Sequence, residues 1–184
     1  WHIMPKVLPE LLASDKKMLI EKPLGLTAAT IEAAIPKENS RLVSKLIGFN
    51  RRFYNVVGRV QSRLEKGGLK AVHIVISEDI GRQKKAHGDE IVPHLMTFSS
   101  SHILDLSLSL LGNLEVVKLY GWQDKSEFIS INGLLETDKG VPIHLSLNAN
   151  DPSSAGFRFL FTDATTWTLS PVEMLSVFEE IMYV

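Results

Sequence analysis

The sequence predicts a mixed α/β protein: the remnant of a doubly wound parallel sheet, followed by an open, mostly antiparallel sheet covered by helices on one face. Three observations carry this. Residues 1–48 alternate helix-like and strand-like segments, the rhythm of a parallel sheet. Residues 114–169 read as a series of short strands separated by turn signals, which favours antiparallel pairing. Between these regions lie two apolar helical stripes, enough to cover one sheet face.

In chain order, Val7, Leu8, Leu11 and Leu12 recur at helical spacing, and Pro5 suits a first turn, so residues 4–14 predict a helix that tolerates Pro9 poorly. Met18-Leu19-Ile20 reads as a buried strand ended by Glu21-Lys22-Pro23. Thr27 is the expected N-cap of a helix with Ile31, Ala34 and Ile35 on one face, stopped by Pro36. Residues 42–49 predict a second strand. Two parallel strands do not make a stable domain, so more of this sheet is expected upstream. Phe53, Val56, Val57, Val60 and Leu64 then form a helical stripe closed by Gly67-Gly68, and residues 71–78 predict a strand. Residues 80–93, with Gly81, Gly88, Pro93 and many charges, read as a loop. Pro93 opens the next predicted helix, which runs to Leu111 with Gly112 as its stop. Strand-like runs follow at 114–123, 127–137, 142–149, 156–162 and 165–169, separated by Asp138-Lys139-Gly140, Asn150-Asp151-Pro152 and Asp163-Ala164.

The 184 residues are 45% hydrophobic and 22% charged, which suits a folded core and argues against disorder. A net charge of −1 gives no electrostatic case for nucleic acid or for an anionic membrane. No apolar run approaches the roughly 18 residues of a membrane span, and no signal-peptide pattern is visible. With no Cys, disulfides, thiolate metal sites and a cysteine nucleophile are excluded, and a cytoplasmic location is the expectation. No G-x-G-x-x-G, P-loop or G-x-S-x-G pattern is present.

Three constellations could carry chemistry. Lys22, in Glu21-Lys22-Pro23 at a strand's C-terminal end, sits where ligands bind in open α/β sheets; it reads either as a proton-transfer group or as a solvated strand-end Lys. His102, in Ser99-Ser100-Ser101-His102, shares a helix face with Asp105 and reads as a general base or as a His satisfied by serine. Lys22 and His102 are expected to face one cleft, with His102 opposite Leu106 and Leu110. Arg51 and Arg52, beside Asn50 at a strand-to-helix junction, could bind a carboxylate or phosphate, or open a solvated helix. His94, His102 and Asp105 lack the helical His pair of a zinc site, so no metal is expected.

Taken together, Leu19-Ile20-Glu21-Lys22-Pro23-Leu24, Gly48-Phe49-Asn50-Arg51-Arg52-Phe53-Tyr54 and Ser100-Ser101-His102-Ile103-Leu104-Asp105-Leu106 with Leu111-Gly112 resemble, in order and spacing, the motifs of the glucose–fructose oxidoreductase / inositol dehydrogenase (Gfo/Idh/MocA) family. The likeness covers essentially the whole chain, from His2 to Leu169-Ser170-Pro171-Val172-Glu173. The resemblance implies an NAD- or NADP-dependent oxidoreductase acting on a hydroxyl of a sugar, cyclitol or nucleotide sugar. Residues 1–48 would end a Rossmann dinucleotide-binding domain, and residues 49–184 would form an α/β substrate and oligomerisation domain, truncated at its C-terminus. It implies catalytic roles for Lys22 and His102, cofactor contacts for Glu21, Lys22 and Pro23, and substrate contacts for Asn50, Arg51 and Arg52. Many members carry an Asp four residues before the helix His; that position is Phe98 here. The phosphate-binding glycines are expected upstream of Trp1.

A non-catalytic binding or assembly module derived from the same family is the alternative. One sheet face lacks a helix to cover it, and Tyr120, Trp122, Phe128 and Trp167 are candidates for an apolar patch there, pairing subunits as a homodimer or higher homo-oligomer.

Overall fold

A computed structural model describes residues 2–36, 44–124, 127–149, 151 and 153–179. Met4–Ala13 forms α1, Met18–Ile20 β1 and Ala28–Ala34 α2. Pro5 lies in the first turn of α1, where its missing N–H costs nothing, and Pro9 is tolerated inside it. Thr27 caps α2 as expected, its hydroxyl accepting from the Thr30 N–H at 3.2 Å. Lys45–Ile47 forms β2, parallel to β1, with Leu19 opposite Leu46. Residues 42 and 43 of the predicted strand lie outside the described residues. Leu8, Leu12 and Ile20 bury together against this pair. Only one side is covered: Leu19 is 71% exposed, so β1 is not the buried strand expected from its apolar run.

A 3-10 turn over Asn50–Phe53 leads into α3, Asn55–Glu65. Phe53 belongs to the turn and is 81% exposed; the buried stripe of α3 is Val57 and Val60. Gly67 and Gly68 both take positive φ after the helix. Leu69–Glu78 forms β3. The expected loop at 80–93 is instead helical: α4 spans Ile80–His87, and a 3-10 turn spans Asp89–His94. Asp79 caps α4, accepting from the Arg82 N–H at 2.8 Å. Ile80, Ile91, Val92 and Leu95 bury together, and that shared apolar cluster outweighs Gly81 and the charges that suggested a loop.

The single helix expected up to Leu111 is two: α5, Leu95–Phe98, and α6, Ser101–Leu111. At the break, the N–H groups of Ser99 and Ser100 both reach the Leu95 carbonyl, at 2.8 and 3.1 Å. The Phe98 carbonyl accepts from the Ser101 hydroxyl at 3.3 Å. Serine hydroxyls compete for backbone groups in this way, which is why the serine run ends one helix and starts another. Gly112, with φ +80°, closes α6.

The strands β4 (Leu114–Asp124), β5 (Glu127–Thr137), β6 (Pro142–Ala149), β7 (Gly156–Phe161), β8 (Thr166–Leu169) and β9 (Leu175–Phe178) join β3 in one seven-stranded sheet. Its order is β4-β5-β6-β3-β7-β8-β9, antiparallel except for the parallel pair β3–β6. Gly140 and Ala164 supply the positive-φ turns predicted there, while Asn150 and Pro152 lie outside the described residues. Val72, Ile74 and Ile76 of β3 point to one face and pack under Val57, Val60, Ile103 and Leu106 of α3 and α6. Tyr120 and Trp122 of β4 lie on the opposite, bare face, across from Asn132 and Ser130. Trp167 does not join them: it pairs with buried Phe159 and packs on the covered core, edge-on to Phe161. The side chain of Phe128 lies outside the described set. Among the described residues no helix is long and apolar enough to cross a membrane.

Helix α6 offers a direct measure of this packing. Leu106→Ala removes a fully buried side chain and should lower stability by about 2–5 kcal/mol in urea denaturation. Leu108→Ala, two positions on and 52% exposed, should cost about 1 kcal/mol or less. Equal losses would mean that α6 does not dock by the Leu106 face.

Candidate functional site

The site forms where the C-terminal end of β1 meets the break between α5 and α6. Lys22 follows β1 directly, and its ammonium donates to the Phe98 carbonyl at 2.5 Å while lying 5.3 Å from the centre of the Phe98 ring. A second bond, from the Thr97 hydroxyl to the Leu26 carbonyl at 3.0 Å, ties the same segments together. The helix break thus presents a carbonyl to Lys22. His102 lies one turn into α6, half-buried, with its ring edge-on to Phe49 at 5.9 Å. Four residues advance a helix by about 40°, so His102 neighbours Leu106 rather than opposing it, correcting the face expected from sequence.

Glu21, Asn50 and His102 line a cleft of about 230 Å³ together with Leu19, Gly48, Phe49 and Phe53. The Glu21 carboxylate rests against Gly48, where a Cβ would lie 3.1 Å from it. Arg51 adds its positive charge to this neighbourhood. Arg52 is engaged elsewhere: its guanidinium grips both carboxylate oxygens of Asp105, one through Nε at 2.7 Å, and so pins the 3-10 turn to α6. Pro23 is joined to Lys22 by a cis peptide bond. Among the described residues no group of three or more His, Cys, Asp or Glu is placed to hold a metal ion.

The electrostatics follow from burial in a crowded cationic corner. Burial, then the charges of Lys22 and Arg51, hold the His102 pKa down to about 4; Asp105 and Glu21 oppose this only partly. Among the described residues its buried Nδ1 has no hydrogen-bond partner, so the neutral ring keeps an uncommitted polar atom. Burial also lowers the Lys22 pKa, with Arg51 second, while Glu78 and Glu21 raise it.

Glu78 was not singled out from the sequence. It ends β3 on the covered face, only 3% exposed, and accepts from the Ser100 hydroxyl at 2.5 Å. Burial raises its pKa, against hydrogen bonds from Ser100 and Ser99 and the charges of Lys22 and Arg51. One signal was available: a carboxylate in phase with the apolar residues Val72, Ile74 and Ile76 of a strand is aimed at the core.

No protein-family profile matches the chain, and no curated protein matches it. Solved structures do. The chain is similar to D-galactose-1-dehydrogenase from Rhizobium etli, with a TM-score of 0.70 and 17% identity over 94% of this chain and 58% of that one. It is similar to UDP-N-acetylglucosamine 3-dehydrogenase from Acidithiobacillus ferrooxidans, with a TM-score of 0.71 and 17% identity over 95% of this chain and 57% of that one. A levoglucosan dehydrogenase in complex with NADH and levoglucosan aligns with a TM-score of 0.71 and 14% identity over 98% of this chain and 55% of that one. The chain has the fold shared by these sugar dehydrogenases. That is the mixed α/β fold, with its large, mostly antiparallel sheet, that the likeness to Gfo/Idh/MocA oxidoreductases implies. The chain spans less than two thirds of the length of each of these three structures.

The depressed His102 pKa has a consequence for stability. The unfolded chain takes up this proton near 6.5 and the folded chain near 4. Between those values the unfolded state binds more protons, so this group withdraws stability as pH falls through the window and nothing further below it. His102→Gln should therefore lose less stability than wild type between pH 6.5 and pH 4 in paired urea titrations. Parallel losses would show that the ring is not held neutral by the fold.

Proposed function

We propose that the chain is the substrate-facing portion of a cytoplasmic NAD(P)-dependent oxidoreductase that moves a hydride between nicotinamide and a hydroxyl or keto group of a sugar, cyclitol or nucleotide sugar. The observation that carries this reading is that Glu21, Asn50 and His102 line one cleft at the end of a parallel strand, where the charges of Lys22 and Arg51 reach His102. The fold shared with galactose, UDP-N-acetylglucosamine and levoglucosan dehydrogenases supports it. In this reading residues 1–48 belong to a Rossmann dinucleotide-binding domain, supported by the parallel β1–β2 pair with α1 and α2, and residues 49–184 form the substrate and oligomerisation domain.

The cleft suits one end of the cofactor. Its volume of about 230 Å³ is below the roughly 300–1,000 Å³ of a whole-ligand pocket, so it takes a nicotinamide or a sugar ring and not a dinucleotide. Glu21, Lys22 and Pro23 would border the nicotinamide, which when bound accepts or returns the hydride. Lys22 would donate through Nζ to the reacting substrate oxygen and steady negative charge on it. Its lowered pKa moves it toward the working pH, where proton exchange is most effective. His102, neutral above about pH 4, would take the hydroxyl proton on its imidazole. Asn50 and Arg51 would orient other substrate oxygens. Arg52 acts by fixing the turn that carries them, through Asp105.

Assembly through the bare sheet face is a second reading, favoured by Tyr120 and Trp122, which are 60% and 61% exposed side by side on β4. It is compatible with the first, because the bare face and the cleft lie on opposite sides of the sheet.

In the protein that contains this chain, Lys22→Met and His102→Asn should each lower kcat/KM for sugar oxidation by at least about 100-fold while leaving it folded. Wild-type turnover of these variants would remove both residues from the chemistry. The 184-residue chain alone, with no G-x-G-x-x-G among its residues, should bind NAD and NADP more weakly than about 1 μM, which corresponds to about 8 kcal/mol; calorimetry decides. For the sheet face, a stable two-fold contact should bury more than about 1,000 Å². Tyr120→Lys with Trp122→Lys should then yield a soluble monomer by light scattering. A wild-type chain already monomeric at micromolar concentration would rule that interface out.

A further inference from the structure

We infer that Glu78 is the counterion that positions Lys22, held in place by Ser100, so that a single break in the helix grips both members of the pair; this rests on reading Lys22 as the proton-transfer group of the site. Two residues of the break, Phe98 and Ser100, face different partners. The Phe98 carbonyl receives the Lys22 ammonium at 2.5 Å, and the Ser100 hydroxyl, itself buried, is donated to Glu78 Oε1 at 2.5 Å. The partners come from distant segments, Lys22 just after β1 and Glu78 at the end of β3. A carboxylate in the core is destabilising unless it meets a hydrogen bond and a compensating charge; Glu78 has the Ser100 hydroxyl, and the positive charges of Lys22 and Arg51 act on it through space.

The charges facing Lys22 make the role specific. Arg51 and burial work against its ammonium, while Glu78 and Glu21 work for it, Glu78 the more strongly. The Glu21 carboxylate is turned onto Gly48 in the cleft, so it is the carboxylate a substrate or cofactor would displace or engage. Glu78 is buried, held by the Ser100 hydroxyl, and does not line the cleft. His102 shares the corner, where the charges of Lys22 and Arg51 act on it. On the helix side the Phe98 ring lies against the Lys22 ammonium, and the negative charge behind it comes from the strand-borne Glu78. Glu78 is a positioning residue: it acts through Lys22 and reaches no substrate itself.

The test reads Lys22 directly and needs no enzymatic turnover. With the lysine ε-carbons labelled, the Lys22 resonance of the 184-residue chain is followed against pH by NMR, in wild type, Glu78→Gln and Glu78→Asp. Backbone fingerprints of the sheet confirm the fold. Glu78→Gln keeps an acceptor for Ser100 and removes the charge, so the Lys22 midpoint should shift further down; Glu78→Asp keeps the charge and should return it toward wild type. An unchanged midpoint in Glu78→Gln, or equal shifts in both variants, overturns the proposal. If Glu78→Gln does not fold, Ser100→Ala takes its place, and wild-type titration of Lys22 in that variant overturns the clamp. A sugar dehydrogenase activity that survives Lys22→Met would instead overturn the reading of Lys22, and leaves the Glu78–Lys22 coupling measurable on its own.

Discussion

The bond from Lys22 to the Phe98 carbonyl ties the end of the two-stranded sheet to the helix break at the candidate site. On one side is a two-stranded parallel pair with its own small core; on the other, seven strands under α3 and α6. The carbonyl faces Lys22 because the serine run interrupts the helix. A continuous helix would direct that carbonyl into its own ladder, and Lys22 would face a ring of already bonded groups. The break is thus a local backbone preference of serine turned into a site. Thr97, bonded to the Leu26 carbonyl, repeats the connection next door and keeps the first from being a lone, exposed contact.

Much of the architecture was legible because it follows from periodicity. The stripe of α3, the alternation of β3 to β7, the Thr27 cap and the Gly112 stop all express rules that act over a few residues. The failures share a cause as well. The segment 80–93 looks like a loop by its Gly, Pro and charge, and folds because Ile80, Ile91, Val92 and Leu95 find one another. The parallel pairing of β3 with β6 cannot be seen from strand-like runs, since it depends on a long excursion returning beside its origin. Trp167 was assigned by size, and its face is set by the residue it pairs with, Phe159.

The site shows the same division. Lys22, His102 and the Arg51-Arg52 pair stand in recognisable local patterns, whereas the assignments among them do not. Asp105 shares a helix face with His102 in the sequence, yet its carboxylate is taken by Arg52, 53 positions away. Glu78 carries no motif at all; what marks it is burial and partners brought together by the fold. Local sequence displays the chemical groups, and tertiary packing decides which pairs among them are formed.

Strand β3 separates the two faces of the sheet. Val72, Ile74, Ile76 and Glu78 point to the covered face and end in the site, while His73, Val75 and Ser77 point to the bare one. There the His73 ring lies tilted against His144 with centres 5.1 Å apart, and burial, His144 and Arg158 together lower its pKa. A slip of one residue in the pairing of β3 would exchange these sets, taking Glu78 away from Ser100 and bringing His73 into an apolar core. The cost of burying that ring against Ile143 and Phe157 adds to the loss of Val72, Ile74 and Ile76 from the core in opposing the slip. The polar residues of the bare face therefore help define where the site is built, although none of them touches it.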